Sequence, residues 1–215
     1  MRIFVTGGTG ALGQSLLPRL ESAGHDVVAP RHAELDLFDA GAVREAVARA
    51  EAVYHLATRI PAGGRSEEPG AWDENDRLRT EATTILVDAA LEGGAGVFVF
   101  PGVVLLYPPG PADETTPPAA DLAPHLRSDL VAEAEVERFA AGGGRGVALR
   151  LGILWGPGSG NDSPRRSVPP LHTEDAADAL LRALDLPSGV YNVLADGFPV
   201  SNERFKRATG WRPER

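Results

Sequence analysis

Two stretches of this chain hold residues that could do chemistry. In "PHLRSDLVAE", residues 124–133, His125 and Asp129 stand four apart. On a helix that spacing places both on one face, close enough to interact, so either the carboxylate holds the imidazole protonated as a general acid or the two are simply polar residues at a helix entrance. In "VTGGTGALG", residues 5–13, Gly7, Gly10 and Gly13 recur at every third position between an apolar run and a helical pattern. A strand-to-helix turn without side chains lets backbone N–H groups and the positive helix end approach a pyrophosphate. Thr6, Gly7, Gly8, Thr9, Gly10, Ala11, Leu12 and Gly13 would line such a site.

About 20 residues beyond a loop of this kind, an acidic side chain would bond the adenosine ribose. This chain has Arg31 there, in "VVAPRH". A guanidinium pairs well with a 2′-phosphate, which favours NADP(H) and leaves NAD(H) open. Tyr107, in "GVVLLYPPG", is either a further proton donor or a packing residue. Arg165 and Arg166 either hold a substrate carboxylate or phosphate or form a solvated pair. His55 reads as a strand histidine, and His172 as a structural residue entering a helix capped by Thr173. The spacings of His, Asp and Glu match no metal site, and no G-x-S-x-G elbow supplies a nucleophile.

These residues need elements to position them. Short apolar runs, "RIFVTG", "HDVVAP", "AVYHLA", "GVFVFPG", "GVALRLGIL" and "GVYNVL", alternate with longer helical patterns. The runs lack period-2 alternation, as strands buried on both faces do. That predicts an α/β parallel sheet with right-handed crossovers and helices on both faces. Gly24 and Gly93 mark helix ends, Pro124 a helix start, and Pro18 a kink or break inside the first helix. "GPGSGNDSPRRSVPP", residues 156–170, reads as a surface loop.

Composition excludes several classes. The 215 residues are 43% hydrophobic and 24% charged, so one soluble domain spanning 1–215 is expected, without disorder or membrane spans. A net charge of -9 with scattered Lys and Arg argues against nucleic acid and anionic membranes as partners. The absence of cysteine removes disulfides and thiolate chemistry. The first strand pattern begins at Arg2, which leaves the cytoplasm as the expected location.

"TGGTGALG" resembles the TGxxGxxG loop of extended short-chain dehydrogenases/reductases, the family that includes NAD-dependent epimerases and dehydratases. "DLFD" at 36–39 is similar to that family's adenine-flanking segment, "VYHLA" at 53–57 to the strand beneath the cofactor, and "LRLGILWGPG" at 149–158 to its late strand and loop. "HTEDAADALLRAL" and "SNERFKRATGWRP" extend the resemblance to the end of the chain. It implies a Rossmann-type doubly wound sheet and adds Asp36, Leu37, Leu56 and Ala57 to the cofactor site.

The resemblance also implies a catalytic Ser or Thr, a Tyr and a Lys. Aligned on it, Val103 stands for the hydroxyl residue, His125 for the Tyr and Asp129 for the Lys, so the charge at 129 is reversed. Only 13 residues separate Gly158 from His172, which implies a reduced C-terminal substrate lobe from about 156. Dimerisation through the helices at 75–92 and 124–141 is implied too, with apolar stripes Leu78, Ile85, Leu86, Ala89 and Leu126, Leu130, Ala134. Three functions stay open: an NADP(H)-dependent oxidoreductase on a small polar substrate with a remodelled proton relay, a cofactor-holding sensor, or a non-redox isomerase or lyase.

Overall fold

The computed structural model describes residues 1–61, 64–165 and 167–215. Six parallel strands form the main sheet: β1 (Arg2–Thr6), β2 (Asp26–Val28), β3 (Ala52–His55), β4 (Val97–Val103), β5 (Arg145–Leu151) and β8 (Gly189–Val193). Their order is β2-β1-β3-β4-β5-β8. Leaving β1, the chain steps outward to β2 and then returns past β1 to β3. A crevice therefore opens at the carboxyl ends of β1 and β3, the place where doubly wound sheets receive ligands. Two further strands, β6 (Ile153–Trp155) and β7 (Pro170–His172), pair apart from the sheet.

The helices divide between the faces as a sheet buried on both sides requires. Helices α1 (Ala11–Ser22), α6 (Thr173–Arg182) and α7 (Glu203–Thr209) cover one face, over a core that includes Ile3, Val5, Leu16, Tyr54, Leu149, Leu180, Phe205 and Trp211. On the other, α2 (Ala40–Val47), α4 (Thr83–Gly93) and α5 (Pro124–Ala141) enclose Phe4, Val53, Phe98, Phe100, Val136 and Phe139. This is the Rossmann-type fold expected. No helix among the described residues is long and apolar enough to cross a membrane.

Local expectations met mixed outcomes. Pro124 does open α5, and Gly24 takes the left-handed φ of +84° just after α1. Gly93 ends α4 in helical geometry, and its neighbour Gly94, at φ +73°, makes the turn. Helix α1 runs through Pro18 without a break. The loop at 156–170 ends in β7, a strand too short to announce itself by pattern.

The stripe expected on the fourth helix is met at Leu86 and Ala89, which are buried in the core, and not at Leu78 and Ile85, which are only half-buried. A short helix α3 (Asp73–Arg77) joins α4 through a π turn at Leu78–Ala82. Across this segment Asn75, Arg79, Ala82, Thr83, Leu86, Val87, Ala89 and Ala90 are buried. On α5 the sheet-facing residues are Ser128, Asp129, Ala132, Val136 and Phe139. Leu126, Leu130 and Ala134 lie outside that set.

Candidate functional site

The glycine loop joins β1 to α1 at the crevice. Gly7 has φ +69°, and a Cβ there would stand 2.6 Å from the Leu56 carbonyl carbon and the Ala57 nitrogen. A Cβ on Gly13 would stand 2.4 Å from the Gly8 oxygen. Both residues are glycine because backbone passes where a side chain would be. Gly10 is the N-cap of α1 and offers no side-chain bond, and the first turn holds no acidic residue. The first N–H groups of α1 are thus left for a ligand, and an anion is what they and the helix dipole favour. The loop fits the pyrophosphate of a dinucleotide.

Thr6, Leu56 and Ala57 support this loop from below. His55 is buried, with Nδ1 2.8 Å from Thr6 Oγ1 and Nε2 3.0 Å from the Leu78 carbonyl. A carbonyl only accepts, so Nε2 carries the hydrogen and Nδ1 accepts from the Thr6 hydroxyl, which in turn accepts from the Ala57 N–H at 3.2 Å. Burial pushes the pKa of His55 down to about 4, against the Leu78 bond and helped by the Arg79 charge. The ring is a neutral strut, as expected of a strand histidine.

Arg31 lies three residues past β2, and Ala29 between them abuts Gly8, whose Cβ would come within 3.0 Å. The Arg31 N–H donates to Glu34 at 2.8 Å, while its guanidinium is exposed and makes no bond among the described residues. Asp36 accepts from the Phe38 N–H, Leu37 is half-buried, and Asp39 caps α2 through Gly41 and Ala42. On the far side of the crevice, the loop after β6 returns to the glycine loop. A Cβ on Gly158 would stand 3.2 Å from Ala11 Cα. Arg165 is exposed beyond it, and Arg166 lies outside the described residues.

His172, rather than Thr173, caps α6: its Nδ1 accepts from the Glu174 N–H at 3.2 Å, while the buried Thr173 hydroxyl has no partner among the described residues. Its ring meets Trp155 edge-on at 4.6 Å. A Cβ on Gly156 would strike that ring at 2.5 Å, which explains the glycine after Trp155.

The structure does not bring His125 and Asp129 together. His125 stacks on Trp72, with ring centroids 4.0 Å apart and planes at 11°. Asp129 turns the other way and meets Arg79 Nη1 at 3.1 Å, both side chains more than nine-tenths buried. Burial raises the Asp129 pKa to about 6; Arg79 opposes the shift, Glu133 and Asp76 add to it, and the Val103 N–H opposes it. The reversed charge expected at 129 is therefore answered by a cation from another element. One turn further along α5, Glu133 binds Arg150 of β5 through two bonds, at 2.8 and 2.7 Å.

Tyr107 stands over this second pair, its ring centroid 4.9 Å from the Arg150 guanidinium. Its hydroxyl donates to Asn192 Oδ1 at 2.9 Å, and burial pushes its pKa up against the Arg150 charge. Val103 ends β4, and its side chain carries no donor. Arg79, Trp72 and Arg150 were all missed by sequence reasoning. Arg79 falls four residues after Asn75 and four before Thr83, so ordinary helical spacing puts the three on one buried face, but nothing in the sequence marks an arginine there as buried.

A parallel sheet with a glycine cradle at its switch point defines a nucleotide-binding α/β protein. The model of the NAD dependent epimerase/dehydratase family matches residues 3–171, and the chain belongs to that family. It is 36% identical over 178 residues to a 3-diazoavenalumate denitrifying reductase from Streptomyces sp, covering 74% of this chain and 58% of the relative. It is 30% identical over 179 residues to a 2-alkyl-3-oxoalkanoate reductase from Stenotrophomonas maltophilia, covering 77% and 54%. The chain thus spans little more than half the length of these relatives. Its fold is similar to that of a UDP-glucose 4-epimerase from Thermus thermophilus in complex with NAD, with a TM-score of 0.81, 20% identity, and coverage of 100% of this chain and 94% of the other.

Proposed function

We propose that the protein binds a nicotinamide dinucleotide along the glycine loop and acts as an oxidoreductase on a small polar substrate, with NADP(H) preferred. The observation that carries this reading is the cradle: an uncapped α1 N-terminus, Gly7 and Gly13 pressed against backbone, and an uncommitted Arg31 guanidinium beyond β2. The relatives named as reductases and the neighbour holding NAD support it. When bound, the dinucleotide supplies or accepts a hydride. The α1 N–H groups hold its pyrophosphate, Asp36 and Leu37 flank the adenine, Arg31 faces the 2′-phosphate, and Arg165 and Arg166 attract an anionic substrate group.

The test is a titration with NADPH, NADH, NADP and NAD, repeated on Arg31→Ala. NADPH is expected to bind more tightly than NADH, and the substitution to remove roughly tenfold of that preference, the worth of one charge-assisted contact. Equal weak binding of all four overturns the cofactor reading, and an intact preference overturns the role of Arg31.

A second reading, a sensor that holds the cofactor without turning it over, is favoured by one observation. The groups at the proton-donor positions are engaged elsewhere, His125 with Trp72, Asp129 with Arg79 and the Tyr107 hydroxyl with Asn192. NADPH consumption with carbonyl substrates separates the two readings. A homodimer through α4 and α5 is part of the proposal, supported by the Leu126, Leu130 and Ala134 stripe that is left out of the sheet contact.

A further inference from the structure

Strand β8 is the last of the main sheet, so one of its sides has no neighbouring strand. In a parallel ladder the N–H and C=O of one residue point to the same side, and successive residues alternate. Asn192 points outward, since its N–H donates to the Glu114 carboxylate at 2.8 Å rather than to β5. Val190, two residues earlier, therefore points outward too. Its N–H and C=O have no partner on that side among the described residues. The edge is closed at its carboxyl half and open at its amino half.

The sheet face beside that opening is uncovered as well. Helix α5 presses on β5, where a Cβ on Gly146 would stand 2.1 Å from the Val136 carbonyl oxygen. The next helix, α6, packs on the opposite face, and the Tyr54 hydroxyl donates to its Leu180 carbonyl at 2.8 Å. Among the described residues no helix follows α5 over the start of β8, and a groove of about 500 Å³ remains. Ala148 and Val190 floor it, Leu130, Ala134 and Ala140 wall it, and Glu137 lines its rim. Glu137 is exposed and has no ion-pair or hydrogen-bond partner among the described residues, whereas Glu133 is committed to Arg150. On the other face of β8 the Arg204 guanidinium lies 4.6 Å from the Tyr191 ring centroid, likewise without a carboxylate among the described residues. A Cβ on Gly189 would stand 2.9 Å from its Nη2, so this cation is beside the open edge.

We infer that the amino half of β8 is a docking edge for an extended segment of a partner protein that carries a basic residue toward Glu137 and an acidic residue toward Arg204. An added strand takes its affinity from main-chain bonds and its specificity from alternate side chains. Here the main-chain bonds are those of Val190. The partner residue opposite Val190 lies over the groove and fills it with an apolar side chain. Its two neighbours turn to the other face and meet Arg204, and the residues two away return to the groove face and reach Glu137. A helix laid in the groove would leave the Val190 N–H and C=O unpaired, and a small apolar molecule would leave both charges unanswered. The groove flanks the first residues of β5 and β8, whereas the glycine loop follows the carboxyl end of β1, so docking and cofactor binding use opposite ends of the sheet.

The probe is a fluorescein-labelled synthetic peptide, Thr-Arg-Glu-Val-Glu-Arg-Thr, followed by anisotropy; it reads the same in both directions, so either sense of pairing offers the same side chains. Its charge-reversed twin, Thr-Glu-Arg-Val-Arg-Glu-Thr, is the comparison. The full chain is expected to bind the first about tenfold more tightly than the second. Val190→Pro removes the outward N–H without removing a ladder bond, a change that edge strands accept, and is expected to weaken binding about tenfold; a thermal melt checks its fold. Glu137→Arg/Arg204→Glu alters exposed helix positions only, so it tests the edge even where Val190→Pro does not fold, and it is expected to invert the preference between the peptides. Equal binding of the two peptides, an unchanged preference in the charge-exchanged chain, undiminished binding by a folded Val190→Pro chain, or no saturable binding up to about 1 mM overturns the docking edge. Sedimentation of the chain alone tests another occupant: self-association that Val190→Pro abolishes would give the edge to a second copy and overturn the assignment to a partner.

Discussion

The two ends of the crevice are made of different materials. At the glycine loop the contacts are backbone: N–H groups at the start of α1, and Gly7 and Gly13 packed against the main chain of Ala57 and Gly8. Beneath α5 the contacts are side chains, with two arginines and two carboxylates buried in a row. A backbone site tolerates little change of shape but is indifferent to most side-chain substitutions around it. A layer of buried charge is rewritten by pairs of substitutions, because removing one partner leaves an uncompensated charge. The difference accounts for a chain that keeps the glycine loop of its family while replacing the Lys that the resemblance expects.

The largest effect that separates the two ends is expected at the closed pair. Glu133→Gln leaves Arg150 buried without a counter-charge, and burial already works against that guanidinium. Loss of about 3–5 kcal/mol of stability is expected from denaturant melts. Binding of 2′,5′-ADP by whatever fraction stays folded should be unchanged, because the glycine loop contains none of these charges. A stability loss below about 1 kcal/mol would mean that Glu133 and Arg150 are solvated in solution.

Where the two ends meet, their pH dependences oppose. Folded His55 takes up its proton only near pH 4 instead of 6.5. The stability it supplies is complete above 6.5 and is lost as pH falls toward 4, about 3 kcal/mol in all. Asp129 runs the other way. Its pKa rises from 3.8 to about 6 in the fold, so its contribution is complete below 3.8 and is lost as pH rises through 6, again about 3 kcal/mol. Between pH 6 and 4 the two nearly cancel. Chemical melts of His55→Gln should therefore show stability rising as pH falls through that window, and melts of Asp129→Asn should show it falling. Parallel slopes in the two variants would remove the opposition.

This contrast also explains what could be read from the sequence. The strands, their burial on both faces and the glycine loop are local signals: apolar runs without alternation, and glycines at fixed spacing before a helix. The six strands of the main sheet and the loop were legible, unlike the short β7. The buried charges were not, because each partner comes from a distant element: Arg79 from the π turn for Asp129, and Arg150 from β5 for Glu133. The helix spacing of His125 and Asp129 was correct as a spacing and misleading as a contact, since the rings and charges that claim them, Trp72 and Arg79, lie some fifty residues earlier. The π turn itself had no signature, and of the stripe that regular periodicity predicts on this helix Leu86 and Ala89 are buried while Leu78 and Ile85 are half-buried.

The smallest of these effects falls on the backbone end and tests whether shape alone sets it. Gly13→Ala places a Cβ 2.4 Å from the Gly8 oxygen and 2.5 Å from its Cα. Neither atom belongs to a flexible side chain, so α1 must move off the loop, at a cost of about 2 kcal/mol. Gly94→Ala is the matched control: it meets nothing within 4 Å, and its strain comes from the positive φ of +73° alone. That costs about 1 kcal/mol. If the cradle works by close approach, calorimetry should find 2′,5′-ADP binding weakened in Gly13→Ala and intact in Gly94→Ala, although the two stabilities differ little. Equal binding in both would show that the turn at Gly7–Gly13 serves packing rather than a ligand, and the contrast between the two ends of the crevice would reduce to the charges under α5.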